Sequence, residues 1–480
     1  MHCLHTRYGK KRASRRTLLL LPGLLAPPAM ANGILPEDYP DAGLINRGRE
    51  IFLHETFDGN GRTCATCHRE DNNFTLDPAY IARLPKTDPL FVAERPEPNP
   101  LAGLEDPTMM REAGLILVNS NGFDRPHVFR GIPHLLALST SITPPSPVAG
   151  DGTTVPPVHR TGWSGDGSPV DPAAEPPRNG SLRDFAIGAV MQHMTRTLAR
   201  VPGEDFRLPT EEELEALEAF MRSLGRQQEF DDFRLIRMRD ARAEQGRRNY
   251  LGEGLAGGVP CNACHFNGGA NTDPDFDFPP EITPPAFESS NRSFAPRVEE
   301  LRDQHGDILG KANPFDDGFG QGTNLFNVPP VIEAADTGPF FHANQIDTVE
   351  AMVAFYATRR HLRDGTVLPP IVGLNGAQVA NVAAFLRVLN ADENARQAIA
   401  LLEQAQGVRR WRDARTNLRL ARAEITDAIE VLKGAHLHVR DALPRLKRAR
   451  RLARSLYKAD KAIRLLKRAR ADMIDRSRVR

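Results

Sequence analysis

Apolar residues recur at three and four positions along most of this chain and alternating, strand-like stretches are scarce, so the pattern predicts a mainly helical protein. The clearest helix is predicted over Pro209 to Leu224, where Leu214, Leu217, Phe220, Met221 and Leu224 make one stripe. Thr210 is placed to cap it, with Glu213 completing a capping box. A counterpart over Gly376 to Leu389 carries Val379, Val382, Phe385, Leu386 and Leu389. A third helix is predicted over Ser181 to Thr197, with Leu182, Phe185, Ala189 and His193 on one apolar face and Met191 turned away. A fourth, Asp347 to Thr358, aligns Val349, Met352, Val353 and Tyr356. From 392 to about 475 the chain is rich in Ala, Leu, Arg and Lys, with breaks expected near Gly407, Gly434 and Pro444, and reads as a helical hairpin or bundle.

Much of this pattern occurs twice. Gly48-Arg49-Glu50-Ile51-Phe52-Leu53 corresponds to Gly246-Arg247-Arg248-Asn249-Tyr250-Leu251, and Phe129-Arg130-Gly131-Ile132-Pro133 to Phe326-Asn327-Val328-Pro329-Pro330, an offset of about 197 positions. Ala219-Phe220-Met221-Arg222-Ser223-Leu224 matches Ala384-Phe385-Leu386-Arg387-Val388-Leu389 at an offset of 165, so the first half holds 32 extra residues. The Pro-rich stretch from Thr143 to Pro177, which cannot continue a helix, is the expected place for them, as a long surface excursion on either side of the Trp163 loop that would cover the edge of the first cofactor site as a lid. The expected domains are therefore 40–228, with an insertion at about 141–180, 236–390, and a helical extension over 391–480.

Cysteine usage brings in the chemistry. Four of the five cysteines sit in Cys64-Ala-Thr-Cys67-His68 and Cys261-Asn-Ala-Cys264-His265, in register with the repeat, and Cys3 has no partner for a disulfide. Two thiols three positions apart can reach the two vinyl groups of a porphyrin, and the adjacent histidine is then held against the iron. The motifs thus predict two covalently attached haems c, with His68 and His265 as proximal iron ligands. A redox dithiol and half of a zinc site are the competing readings of such a pair, and neither explains the histidine or the repetition.

The other side of each iron decides between electron transfer and peroxide or oxygen chemistry. His193, on the apolar face of its helix, and Tyr356 and His342 in the second half are the candidate distal ligands, with Met194 weaker. The bland readings stay open: a core histidine at 193, packing at Tyr356, and a hydrogen bond to a propionate or loop carbonyl at His342.

Residues 1–31 carry a basic run, a short apolar stretch from Leu18 to Leu25 and Ala29-Met30-Ala31, the form of a cleavable signal, so export to the periplasm by the general secretory route is expected. Removing its six Lys or Arg takes the formal charge from +1 to −5. Residues 441–480 hold fifteen Lys or Arg against four Asp, an uneven distribution that suggests a basic module. Its expected partners are a redox protein or an anionic membrane surface, beside the plain reading of a solvated helical face. No nucleic-acid partner is expected.

Over residues 40 to 390 the chain resembles the bacterial di-haem cytochrome c peroxidases and the related MauG-type enzymes. The motifs that carry the resemblance are the two attachment runs, Asn327-Val328-Pro329-Pro330, Gly338-Pro339-Phe340-Phe341-His342 and Thr348-Val349-Glu350-Ala351. The resemblance implies two tandem cytochrome c-type helical domains with long irregular loops. It also implies a role for Tyr356, which falls where peroxidases have a methionine iron ligand and MauG-type enzymes a tyrosine. The catalytic positions depart from the family: Thr161 and Arg183 stand where its glutamine and glutamate would be, and its inter-haem tryptophan has no match. Arginine cannot act as the base that peroxide cleavage needs, and Asp166 and Asp184 are the remaining carboxylates nearby. Electron transfer is therefore the first expected function, a peroxidase or MauG-like oxidase the second, and a haem-bearing sensor or docking protein the third.

Overall fold

The computed structural model describes residues 32–118, 128–140, 182–277, 293–294, 298, 326–358, 360–361, 367–368, 370–437, 439 and 441–479. The expected signal segment, the Pro-rich excursion and, within it, Thr161, Trp163 and Asp166 lie outside these residues. The fold is mainly α. Its strands, among the described residues, are short and form only two-stranded pairs.

The first half runs α1 (Ala42–His54), α2 (Cys64–Cys67), α3 (Pro78–Ile81), α4 (Pro107–Ala113), a hairpin of β1 (Leu115–Val118) and β2 (Val128–Gly131), α5 (Leu182–His193) and α6 (Glu211–Ser223). The second runs β3 (Arg237–Met238), α7 (Ala241–Tyr250), α8 (Cys261–Cys264), paired β4 (Ser293–Phe294) and β5 (Phe326–Asn327), α9 (Val349–Tyr356), paired β6 (Arg360–His361) and β7 (Val367–Leu368), and α10 (Gly376–Gly407). Three helices follow: α11 (Trp411–Gly434), α12 (Ala442–Leu452) and α13 (Ala459–Met473), then β8 (Ile474–Asp475).

The repeat has a packing cause. In each half the helix before the attachment motif crosses a later helix, α1 on α6 and α7 on α10, with a glycine at the crossing. A Cβ on Gly48 would stand 1.8 Å from the Ala216 carbonyl oxygen, and one on Gly246 would stand 1.8 Å from that of Asn381. No side chain fits there, so both halves keep glycine where two backbones touch. Aromatic rings fill in beside each crossing: Phe52 meets Phe220 at 5.2 Å between centroids, and Tyr250 meets Phe385 at 5.3 Å. The predicted capping box of α6 is present, with the Thr210 N–H on Glu213 Oε2 at 2.9 Å and the Glu213 N–H on the Thr210 hydroxyl at 3.3 Å.

The C-terminal helices are less separate than composition suggests. α10 passes through Asn390 without a break, and Ala391, Ala395, Ala398, Leu402 and Ala405 continue the second half's core into a shared core with α11, α12 and α13. Chain breaks do fall after Gly407 and Gly434, but Pro444 lies in the first turn of α12, where a missing N–H has no intrahelical partner to lose. Buried Asp392 ties the ends together: Arg470 meets it at 2.9 Å and Arg476 at 2.6 Å. β8 pairs with β3 in the linker between the halves, and α11 reaches the first half, where Asn417 brackets the backbone of Ile34 at 2.8 and 2.9 Å. No helix among the described residues is long and apolar enough to cross a membrane.

Candidate haem sites

Each attachment motif forms a one-turn helix, α2 or α8, ending at its histidine. The four cysteines form no disulfide and keep part of their surface accessible. Burial pushes the thiols of Cys64 and Cys261 up to about 12 and that of Cys67 to about 11. A redox dithiol carries a lowered thiol pKa, and the direction at these cysteines is the opposite one. Among the described residues no three His, Cys, Asp or Glu side chains converge as a metal site.

The two histidines are oriented alike. His68 Nδ1 lies 2.9 Å from the Phe74 carbonyl oxygen, and His265 Nδ1 lies 2.9 Å from that of Pro329. In the tautomer with the proton on Nδ1, each ring donates to that carbonyl and leaves the Nε2 lone pair, the arrangement that raises ligand basicity and fixes the ring of a metal-bound histidine. Burial lowers both rings to about 4, so they are neutral, as a ligand must be. The donor set therefore fits haem c at both places: paired thiols to tether it and one neutral, oriented imidazole for its iron.

α5 brings His193 into the first site. The helix has two working faces rather than the single one read from spacing. Leu182, Val190 and Met194 are buried in the first-half core, and Met191, expected to face away, packs against it too. Phe185, Ala189 and His193 lie on the adjoining, half-exposed face. A charge on the His193 ring would lower the His68 pKa, so the two rings lie within electrostatic reach of one another. Behind His193 stands Glu105, fully buried, with Oε1 at 3.7 Å from the ring's Nδ1. That contact is longer than a hydrogen bond. Burial alone would raise the Glu105 carboxyl; the Arg62 guanidinium at 2.9 Å, together with His193 and the Leu117 N–H, holds it below the usual range. The backbone of α5 is pinned as well, since Asn60 Nδ2 donates to the carbonyls of His193 at 2.9 Å and Thr195 at 2.8 Å. His134, after the Ile132-Pro133 repeat, is buried within electrostatic reach of His68, and burial and His68 lower it to about 4. Spacing along the chain gave no sign of Glu105, and His134 was legible only as the residue following the repeated Pro133.

The second site is lined differently. Tyr356 ends α9 in an aromatic cluster, its ring 5.9 Å from Phe341 and 5.5 Å from Phe355. Its carbonyl accepts from Val372, which bridges to Gly258, three residues before Cys261, so the end of α9 lies against the strand that enters α8. His342 lies at the seam between the halves. Its carbonyl accepts from Gly131 at 2.8 Å, its Nε2 is 3.2 Å from the Gln345 amide nitrogen, and burial and Arg130 push its pKa well down. Arg183, at the position of the family's glutamate, is bound to Glu218 at 2.8 Å and Glu211 at 3.4 Å, an ion-paired cation on α5.

The sites are joined through their proximal loops. Asn73, beside the Phe74 carbonyl that holds His68, donates to the Asp336 carbonyl at 2.9 Å. Asp336 lies seven residues after Pro329, whose carbonyl holds His265. Asn271 of the second half also donates to Thr140 of the first at 3.0 Å.

No family model and no curated protein matches this chain. Among solved structures it is similar to a MauG-like protein associated with microbial copper homeostasis, at 15% identity and a TM-score of 0.37, covering 76% of this chain and 93% of that one. It is also similar to the diheme peroxidase BthA from Burkholderia thailandensis E264, at 16% identity and a TM-score of 0.31, covering 74% of this chain and 87% of that one.

Proposed function

We propose that this chain is an exported di-haem c-type cytochrome whose work is electron transfer. Cys64 and Cys67 would tether one haem and Cys261 and Cys264 the other, with His68 and His265 as proximal ligands. The observation that supports the reading is His193, which lies within electrostatic reach of His68 and has a buried carboxylate, Glu105, 3.7 Å from its Nδ1. A carboxylate drawn onto Nδ1 would leave Nε2 free as a ligand, and the first iron would then have two histidine ligands and no position for peroxide. When bound, haem iron supplies the one-electron change between its ferric and ferrous forms. The chain's own part is to hold each imidazole neutral and oriented, to exclude water, and to keep the two proximal loops in contact through Asn73. Arg183, ion-paired, supplies no base for peroxide cleavage. We assign Tyr356 as the candidate distal ligand at the second haem and His342 as a residue that docks one half on the other.

The test is low-temperature electron paramagnetic resonance of the purified holoprotein, fully oxidised and half-reduced. A pyridine haemochrome assay should first give two haems per chain. The expected result is a low-spin first haem in both states, with His193→Gly converting it to a high-spin form that added imidazole reverses. A high-spin first haem in the unaltered protein that shifts on adding cyanide or peroxide, and that His193→Gly leaves unchanged, would overturn the reading in favour of a peroxidase or MauG-like oxidase.

A further inference from the structure

The basic residues of the last two helices fall into two sets. Those facing inward are engaged: Arg445 with Asp472 and Asp441, Arg450 with the Thr426 hydroxyl, Arg470 with Asp392. Of those facing outward, Lys467 meets Glu403 at 3.5 Å and a larger set is unpaired among the described residues. On α12, Lys447 and Arg451 follow one another at four positions, and Arg454, just past the helix end, extends the row by three; all three are exposed. On α13, Lys461, Arg464 and Arg468 repeat the arrangement at three and four positions. Of the acids nearby, Asp441 is paired with Arg445 at 3.2 Å, while exposed Asp460 accepts from the Gln406 amide at 2.9 Å and is outnumbered by the cations around it. Between the two rows, at the turn, Tyr457 is fully exposed, with exposed Lys458 next to it.

We propose that this outward face of the α12–α13 hairpin docks on an anionic phospholipid membrane, with Tyr457 as its interfacial anchor. The apolar stripes of both helices, Leu446 and Ala449 on one and Ile463 and Leu466 on the other, are buried in the shared core, so the cationic face is presented by a rigid support. Tyr457 is the one large apolar side chain exposed on this hairpin among the described residues, a smaller apolar centre than a protein interface uses. A lipid surface asks for what is present: several cations in one plane and an amphipathic aromatic ring at headgroup depth. The hairpin packs chiefly on α10 and α11 rather than on the attachment helices α2 and α8, so it holds the molecule at a surface without covering a haem site.

The test is co-sedimentation of the purified full-length holoprotein with vesicles of phosphatidylcholine alone and of phosphatidylcholine with about 30% phosphatidylglycerol, the range in which each surface cation has a measurable effect. Binding is expected to the anionic vesicles only, and to fall at least tenfold between about 50 and 500 mM salt as screening shortens. The variant Arg451→Glu, Arg454→Glu, Lys458→Glu, Lys461→Glu should bind at least about 100-fold more weakly. Circular dichroism checks its fold, and Tyr457→Ser, which changes no charge, should weaken binding several-fold. Equal binding to neutral vesicles overturns the proposal. So does failure to bind anionic vesicles in low salt while the protein is retained on immobilised polyglutamate, which would point to an acidic protein instead.

Discussion

Replacing Glu105 by glutamine tests the first site at its least solvated point. The Glu105 and Arg62 side chains are 0% and 1% exposed. Glu105 Oε1 accepts from Arg62 at 2.9 Å and Oε2 from the Leu117 N–H at 2.8 Å, so both oxygens face donors. A glutamine must turn its NH2 towards one of them and lose that bond. The guanidinium would keep only carbonyl contacts, to Leu90 at 2.7 Å and to Pro89 and His193 at 3.4 Å, with no counter-charge. Stranding one member of a buried pair costs about 3–5 kcal/mol. Urea unfolding followed by circular dichroism should therefore show Glu105→Gln about 4 kcal/mol less stable than the parent. The double variant Arg62→Met, Glu105→Gln should recover part of that loss, because the stranded charge is gone. In the holoprotein, Glu105→Gln should also let the His193 ring rotate and add a high-spin component to the resonance spectrum. A stability within about 1 kcal/mol of the parent would refute the argument, since a neutral hydrogen bond alone accounts for that much.

Further outcomes follow from the packing and the buried acids. Gly48→Ala or Gly246→Ala should each cost about 3 kcal/mol by forcing two helices apart, whereas Gly43→Ala, with open space at its Cβ, should be neutral or stabilising by up to about 1 kcal/mol. Burial raises Asp427 to about 7 and Asp336 to about 6. Folding therefore favours their protonated forms, and the stability they contribute is full below about pH 4 and lost as pH rises through 6 and 7. Asp427→Asn should remove its share, raising stability at pH 8 by about 2–3 kcal/mol while leaving it unchanged near pH 4, as read by urea midpoints. Truncation after Asn390 should give an aggregating or unfolded chain rather than an intact di-haem core, checked by size-exclusion chromatography, because it removes the helices that cover the second half's apolar surface.

Much of the molecule was legible one-dimensionally, for a physical reason in each case. Helix periodicity and the Thr210–Glu213 capping box are local rules, satisfied within a few residues. Covalent haem attachment needs two thiols and a histidine within five positions, so Cys64 to His68 and Cys261 to His265 carried the cofactor expectation unaided. The repeat was visible because both halves solve the same packing problem, a glycine under a crossing helix beside an aromatic ring. The rest needed the folded chain. Asn390 looked like a boundary because repetition stops there, yet α10 runs through it, since core burial depends on what packs above a helix and not on resemblance along the chain. Glu105 reaches His193 across 88 positions and Asn73 reaches Asp336 across 263, and no local pattern records such pairs. Which face of α5 carries His193, and which arginines of the last helices are spent on internal carboxylates and which remain for a surface, were decided only when distant segments came together.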